Sequence, residues 1–156
     1  MAGKVKPIPN GYHTATPCLI IQEAAAALDF YKKVFGATEI MCMAQPDGKI
    51  GHAEIRIGDS VIMLADEVPE MGYRGPKSLG GSPVSLMLYV EDVDAVVGRA
   101  VAAGAKITQP VQDKFYGDRN GVLEDPFGHV WTIATHTEDV SPEEMGKRMT
   151  AMSKSK

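Results

Sequence analysis

The chain is short of several things. It has two cysteines in 156 residues, Cys18 and Cys42, and no CxxC pair. Both fall in strand-like segments and read as buried free thiols of a cytosolic protein. No apolar run approaches the roughly 20 residues that span a bilayer. The N-terminal stretch MAGKVKPIPNG has two lysines but no hydrophobic segment, which argues against a signal peptide. Excess positive charge is missing too: the formal net charge is -4, so there is no basic face for nucleic acid, and the Lys-Ser-Lys tail reads as a solvated end. The expectation is a cytoplasmic protein with neither a nucleic-acid nor a membrane partner. What remains is ordinary: 44% apolar and 23% charged residues, in a length that suits one domain with a real core.

What is present is a repeat. Cys18 to Ala37 reads CLIIQEAAAALDFYKKVFGA, and Met87 to Ala105 reads MLYVEDVDAVVGRAVAAGA. Further on, IGDSVIML (57 to 64) is echoed by PFGHVWTI (126 to 133). Ile21 to Val90 and Leu64 to Ile133 are both separated by 69 residues. Two copies of one small unit bury their apolar faces by packing together, so a ligand is expected in the cleft between them.

Each copy reads β-α-β-β-β. In the first, residues 12 to 21 form a strand, 23 to 35 a helix ended by Gly36, and 37 to 45 a strand closed by the turn Pro46-Asp47-Gly48. Strands 49 to 57 and 60 to 66 come next, joined by the two-residue turn Gly58-Asp59. In the second copy, strand 84 to 90, helix 92 to 103, and strands 105 to 112, 115 to 124 and 129 to 135 repeat the order. The expected organisation is one domain: residues 1 to 11 as a loose arm, 12 to 66 as the first unit, 67 to 83 as a Gly- and Pro-rich linker, 84 to 136 as the second unit, and 137 to 156 as a helical tail. Ser141-Pro142-Glu143-Glu144 supplies the tail helix with a cap and a capping box. Met145, Met149 and Met152 recur at helical spacing, to pack on the same subunit or to cover a partner.

The segments HAEIRIGDSVIMLADE, YVEDVDA, FYGDR and EDPFGHVWTIATH, set in this repeat, resemble the vicinal oxygen chelate superfamily of glyoxalases, extradiol dioxygenases and bleomycin- and fosfomycin-resistance proteins. The PhnB-like subgroup is the most similar. The resemblance implies an α+β glyoxalase/bleomycin-resistance fold, with tandem βαβββ repeats forming a cup-shaped mixed sheet that holds the ligand, and a homodimer. Family metalloenzymes carry one metal ligand on the first and last strand of each unit. The matching positions here are Thr16, Met63, Ser85 and Thr132. Hydroxyls and a thioether do not suit the divalent ions of these enzymes, so no metal and no cofactor is expected at the family site, a divalent ion at an altered site remaining open.

Geometry extends the lining. Across the Gly58-Asp59 turn, Arg56 faces Val61, Glu54 faces Met63 and His52 faces Ala65. Since Met63 occupies a cup position, His52, Glu54 and Arg56 face the cup with it. They are read either as solvated or mutually paired groups, or as a functional set in which Glu54 is a general base or anchoring carboxylate with His52 beside it. Burial in an apolar cup would raise the pKa of Glu54. The same parity brings in Thr16 and Cys18, then Ser85, Met87 and Tyr89, then Thr132. Ala53, Ile55, Ile62, Leu64 and Trp131 fall under the helices. In Phe115-Tyr116-Gly117-Asp118-Arg119, Tyr116 and Arg119 are ligand-binding candidates, Arg119 as a fork for a carboxylate or phosphate or else paired with Asp118 or Glu124.

These residues point to a binder of a small organic molecule that lacks the usual metal ligands. Two alternatives stand beside it: a lyase, isomerase or dioxygenase with an altered metal site or with Glu54 as base, and an interaction module using the C-terminal helix.

Overall fold

The computed structural model describes residues 5–155. Of the expected N-terminal arm, residues 1–4 lie outside the described residues, as does Lys156 of the tail. The chain divides into two compact units, one ending at Gly81 and one beginning at Ser82. The first contains β1 (Cys18–Ile21), α1 (Ala24–Phe35), β2 (Thr38–Ala44), β3 (Ile50–Ile57) and β4 (Ser60–Asp66), with a short α2 (Pro76–Leu79) after the sheet. The second contains β5 (Ser85–Tyr89), α3 (Val93–Ala102), β6 (Lys106–Asp113), β7 (Asp118–Glu124), β8 (Val130–His136) and α4 (Pro142–Ser153). The strand orders are β1-β4-β3-β2 and β5-β8-β7-β6. In each sheet the first and last strands run parallel and the other neighbours antiparallel. Two mixed four-stranded sheets with helices are the α+β architecture expected from the repeat.

Each unit covers one face of its sheet with its own helix. In α1 the buried residues Ala24, Ala27, Leu28, Tyr31 and Val34 recur at helical spacing, and the helix stops at Gly36, whose φ of 66° is left-handed. In α3, Val93, Val96, Val97 and Ala100 form the buried stripe, and Asp92 caps the start by accepting from the Ala95 N–H. Beneath the helices lie Ala53, Ile55, Ile62 and Leu64 in one unit and Leu123, Trp131 and Ile133 in the other, all buried. Trp131 donates its indole N–H to Asp125 Oδ2 at 2.8 Å, and Asp125 Oδ1 accepts from the Phe127 and His129 backbone, which fixes the turn into β8. Helix α1 packs on β1, β3 and β4, and α3 on β6, β7 and β8. On the opposite face of the second sheet, α4 reaches only the end that carries Tyr89, Asp118 and His136, through Met145.

An equivalent contact seats the helix in each unit. Asp66, the last residue of β4, accepts the Ala24 N–H at 3.0 Å. Thr135 in β8 accepts the Val93 N–H at 3.0 Å. Both partners are separated by 69 residues (24 to 93, 66 to 135). Asp66 also accepts the Ile50 N–H, at 2.6 Å.

Several expected boundaries move. The first strand is four residues rather than ten, because Pro17 has no N–H to give to a ladder and the chain before it turns away. Helix α1 begins at Ala24, since Glu23 is in the left-handed region (φ 62°). Strand β7 begins at Asp118 because Phe115 to Gly117 forms a turn, with Gly117 at φ 98°. Segment 67 to 83 contains a 3-10 turn (Pro69–Met71) and α2, and Glu67 ties it together by accepting from the Gly75 N–H and the Ser78 hydroxyl. It is pinned to the first unit by the Glu67 N–H on the Ile21 carbonyl at 3.1 Å and the Gln22 amide on the Ser78 hydroxyl at 2.8 Å. Both cysteines are exposed rather than buried. Cys18 opens an edge strand on the uncovered face, and Cys42 sits in β2, an edge strand exposed along its whole length.

Asp66→Ala orphans two backbone donors and is expected to cost about 1–3 kcal/mol. Thr135→Val removes one acceptor and should cost about 0.5–1.5 kcal/mol. Urea denaturation of both variants checks the order; equal midpoints with the parent would show that these contacts do not seat the helices.

Candidate functional site

Cross-strand register places the side chains of the uncovered faces in rows. In the first unit Cys18, Met63, Glu54 and Met41 align across all four strands. His52 aligns with Met43 in the next row, and Arg56 lies between Val61 and Thr38. Thr16 precedes β1 and belongs to no strand. In the second unit Met87, Thr132 and Val122 align, as do Tyr89, Ala134 and Asn120, and as do Ser85, Val130 and Glu124.

Glu54 is the polar centre of the first unit, only 6% exposed. Its Oε2 accepts from the Tyr12 hydroxyl, and its Oε1 is 3.0 Å from His52 Nε2. Those two hydrogen bonds, first from His52 and then from Tyr12, hold its carboxyl below the usual carboxylate range against the opposing effect of desolvation. This reverses the expected upward shift: the surroundings of Glu54 are hydrogen-bond donors rather than the apolar wall assumed. The same contact pushes the Tyr12 phenol up. Arg56 does not present a free guanidinium; its Nη1 donates to the Gly11 carbonyl at 3.1 Å. Gly11 and Tyr12 are thereby tied to the uncovered face. Tyr12 shares the parity of Thr16 and Cys18 in the expected strand 12 to 21, but it lies in irregular chain ahead of β1, so strand alternation is not what brings it to Glu54.

In the second unit the polar centre is Asp118, 5% exposed. It accepts from the Tyr89 hydroxyl at 3.0 Å, and His136 Nδ1 lies 2.7 Å from its other oxygen. His136 Nε2 is 2.9 Å from Asp139. The two carboxylates push the His136 imidazole up, Asp118 more than Asp139. Tyr116 accepts from the Asn120 amide at 2.7 Å. Tyr89, Tyr116, Asp118, His136, Asp139 and Met145 help to line a cleft of about 690 Å³. The alternation of the last strand that brings Thr132 to this face brings His136 with it; Asp118 is the residue the sequence reading does not place, and it is paired with His136 in register.

Arg119 does not serve this face. It is paired with Thr135 on the opposite, helix-bearing side, where its guanidinium grips Asp94 (2.8 and 3.0 Å) and Asp113 (3.2 Å). Its partners are therefore neither Asp118 nor Glu124, and three of its five N–H donors go to two carboxylates.

The family metal positions do not fit a divalent ion. Thr16, Met63, Ser85 and Thr132 supply hydroxyls and a thioether, with no imidazole or carboxylate among them. Of their strand neighbours in register, Cys18, Val130, Met87 and Val122 add no hard donor, and the one carboxylate opposite Met63, Glu54, has its two oxygens engaged by Tyr12 and His52. Among the described residues no three His, Cys, Asp or Glu side chains form a metal-binding group.

The sequence profile of the Glyoxalase/Bleomycin resistance protein/Dioxygenase superfamily matches residues 12–133. The uncharacterized protein Mb0911c of Mycobacterium bovis is 43% identical over 139 residues, covering 87% of this chain and 91% of its own. Among solved structures, TioX from Micromonospora sp. ML1 is 29% identical with a TM-score of 0.62, covering 80% of this chain and 98% of its own. The PhnB protein from Bacillus cereus, 20% identical with a TM-score of 0.63, covers 79% of this chain and 99% of its own and shares the fold.

A carboxylate held acidic by native partners stabilises the fold above its unfolded-state pKa, and that contribution is lost as pH falls through the lower folded value. Acidifying from about pH 6 to about pH 3 should therefore destabilise the parent more than Glu54→Gln. Urea midpoints across that range check it; parallel curves would mean that the Tyr12 and His52 bonds do not hold Glu54 ionised.

Proposed function

We propose that this chain, which belongs to the Glyoxalase/Bleomycin resistance protein/Dioxygenase superfamily, binds a small organic molecule on the uncovered sheet faces without the family's metal ligands. The observation that carries the reading is the chemistry of those faces. In the first unit Met41 and Met43 stand 39% and 58% exposed on the sheet that carries the thiol of Cys18, and in the second Met87 and Tyr89 stand 46% and 63% exposed on the sheet that carries the hydroxyls of Ser85 and Thr132. Thioethers are polarisable and adapt to the shape of what they touch, and exposed apolar side chains clustered on one face are typical of ligand surfaces. Thr16, Met63 and Tyr116 complete the proposed lining. Arg56 contributes by holding Gly11.

Glu54 and His52 fit this reading as fixed polar groups. A proton acceptor works best with a pKa near the working pH, whereas Glu54 is held below the ordinary range and both of its oxygens already accept hydrogen bonds. That favours an anchoring carboxylate over a general base. The proposal includes a homodimer and a cytoplasmic location; no helix among the described residues is long and apolar enough to cross a membrane. The C-terminal helix is held to its own unit, since Arg148 grips Glu138 at 2.7 and 2.9 Å and donates to the Phe115 carbonyl at 3.2 Å. Met149 and Met152 remain exposed.

A thermal-shift screen of antibiotics and metabolites, run with chelator, is expected to yield ligands that raise Tm. Met87→Glu and Thr132→Arg should abolish the rise while changing the unliganded stability by no more than about 0.5 kcal/mol. Elemental analysis of protein grown with nickel, zinc, manganese and iron should show no stoichiometric metal. A full complement that disappears in the His52→Ala, Glu54→Ala double variant would overturn the metal-free reading in favour of an altered catalytic centre.

A further inference from the structure

The cleft in the second unit has a chemistry of its own. Its floor is the buried Asp118, and its rim carries Asp139, whose side chain is fully exposed and uses one oxygen on His136. Two phenol rings, Tyr89 and Tyr116, stand in its walls, and Val140 and Met145 supply the apolar remainder. Both ring nitrogens of His136 lie within hydrogen-bond distance of carboxylate oxygens, so the favoured form donates from both and is an imidazolium. Two carboxylates against one imidazolium leave the cleft net negative.

The cleft is poorly furnished for an anion. Helix α4 starts at its edge, but Ser141 already accepts the Glu144 N–H, Pro142 has no N–H, and Glu143 and Glu144 come directly after. Nor is it arranged for proton abstraction, since His136 has no unshared nitrogen and the Tyr89 phenol is pushed up by Asp118. Aromatic faces beside carboxylates with an apolar wall are instead the surroundings that attract an ammonium group on a hydrophobic body, through the negative face of the rings and the nearby charge.

We propose that the cleft bounded by Tyr89, Tyr116, Asp118, His136 and Asp139 is a subsite for an organic cation, an ammonium carried on an apolar group. The inference rests on the reading of the open faces as ligand-binding and names the ligand chemistry of one part of them. Binding would add a positive charge beside His136, so affinity is coupled to the proton on that ring. The titratable groups facing the ring are Asp118 from β7, Asp139 from the segment after β8, Tyr89 from β5 and Tyr116 from the turn before β7. As pH rises and His136 loses its proton, the cleft becomes more negative and the cation binds more tightly.

The test is calorimetry and amide NMR on the full chain, with benzyltrimethylammonium as the cationic probe and benzyl alcohol as a neutral one. Saturable binding of the cation is expected, with amide shifts at 136 to 141, strengthening between about pH 5.5 and about pH 8.5. Asp139→Asn should weaken it about two- to fivefold, and Tyr116→Leu by a similar factor. Asp139 is exposed, so its variant is not expected to disturb folding. Equal affinity for the two probes, no shift at 136 to 141, or no response to Asp139→Asn would overturn the cation subsite. The binding reading fails separately, if the metabolite screen yields no ligand that Met87→Glu abolishes.

Discussion

A polar side chain at the end of the last strand holds the first turn of the helix in each unit: Asp66 on Ala24, Thr135 on Val93. The layout of both faces of each sheet depends on this contact. It fixes the crossover between two parallel strands, so that the helix lies on one face of its sheet. Side chains alternate along a strand, so covering one face dictates what the other receives. Leu64 and Ile133 go under the helices. Their neighbours Met63 and Thr132 are sent to the open side, together with Glu54, His52, Met87 and Tyr89.

The open faces are built differently from the cores. Each has one buried carboxylate supplied with a tyrosine hydroxyl and a histidine nitrogen: Glu54 with Tyr12 and His52, Asp118 with Tyr89 and His136. A buried carboxylate is costly unless it is hydrogen-bonded, and these two are satisfied from within their own unit. The consequence is functional. Groups satisfied in this way hold charge and orientation steady, and the flexible thioethers around them adapt. On the proposed reading, that division of labour serves recognition of an organic ligand.

Much of the fold is legible in the sequence. The 69-residue offset, the Ala-rich helix ending at Gly36, and the Gly58-Asp59 turn set the element order and the register of β3 against β4, including Glu54 opposite Met63. Long-range partners set the rest. Tyr12 reaches Glu54 from irregular chain ahead of β1, where strand alternation no longer holds, and its hydrogen bond helps to reverse the expected shift at Glu54. Nearness in sequence suggests Asp118 and Glu124 as partners of Arg119, yet strand parity turns Arg119 to the other face, toward Asp94 on α3. A strand-like segment suggests that Cys42 is buried, but edge position decides burial, and β2 is an edge.

The central claim is that the uncovered faces bind an organic molecule without a metal. The methionines are built-in reporters: Met41, Met43, Met63 and Met87 stand on those faces, while Met149 and Met152 lie on the tail helix. The most direct measurement is a methyl NMR titration of methionine-labelled protein with a ligand from the screen, in excess chelator. The account predicts saturable shifts at the face methionines, unchanged by the chelator, and none at Met149 or Met152. Binding that vanishes with chelation, or shifts confined to the tail, would contradict it.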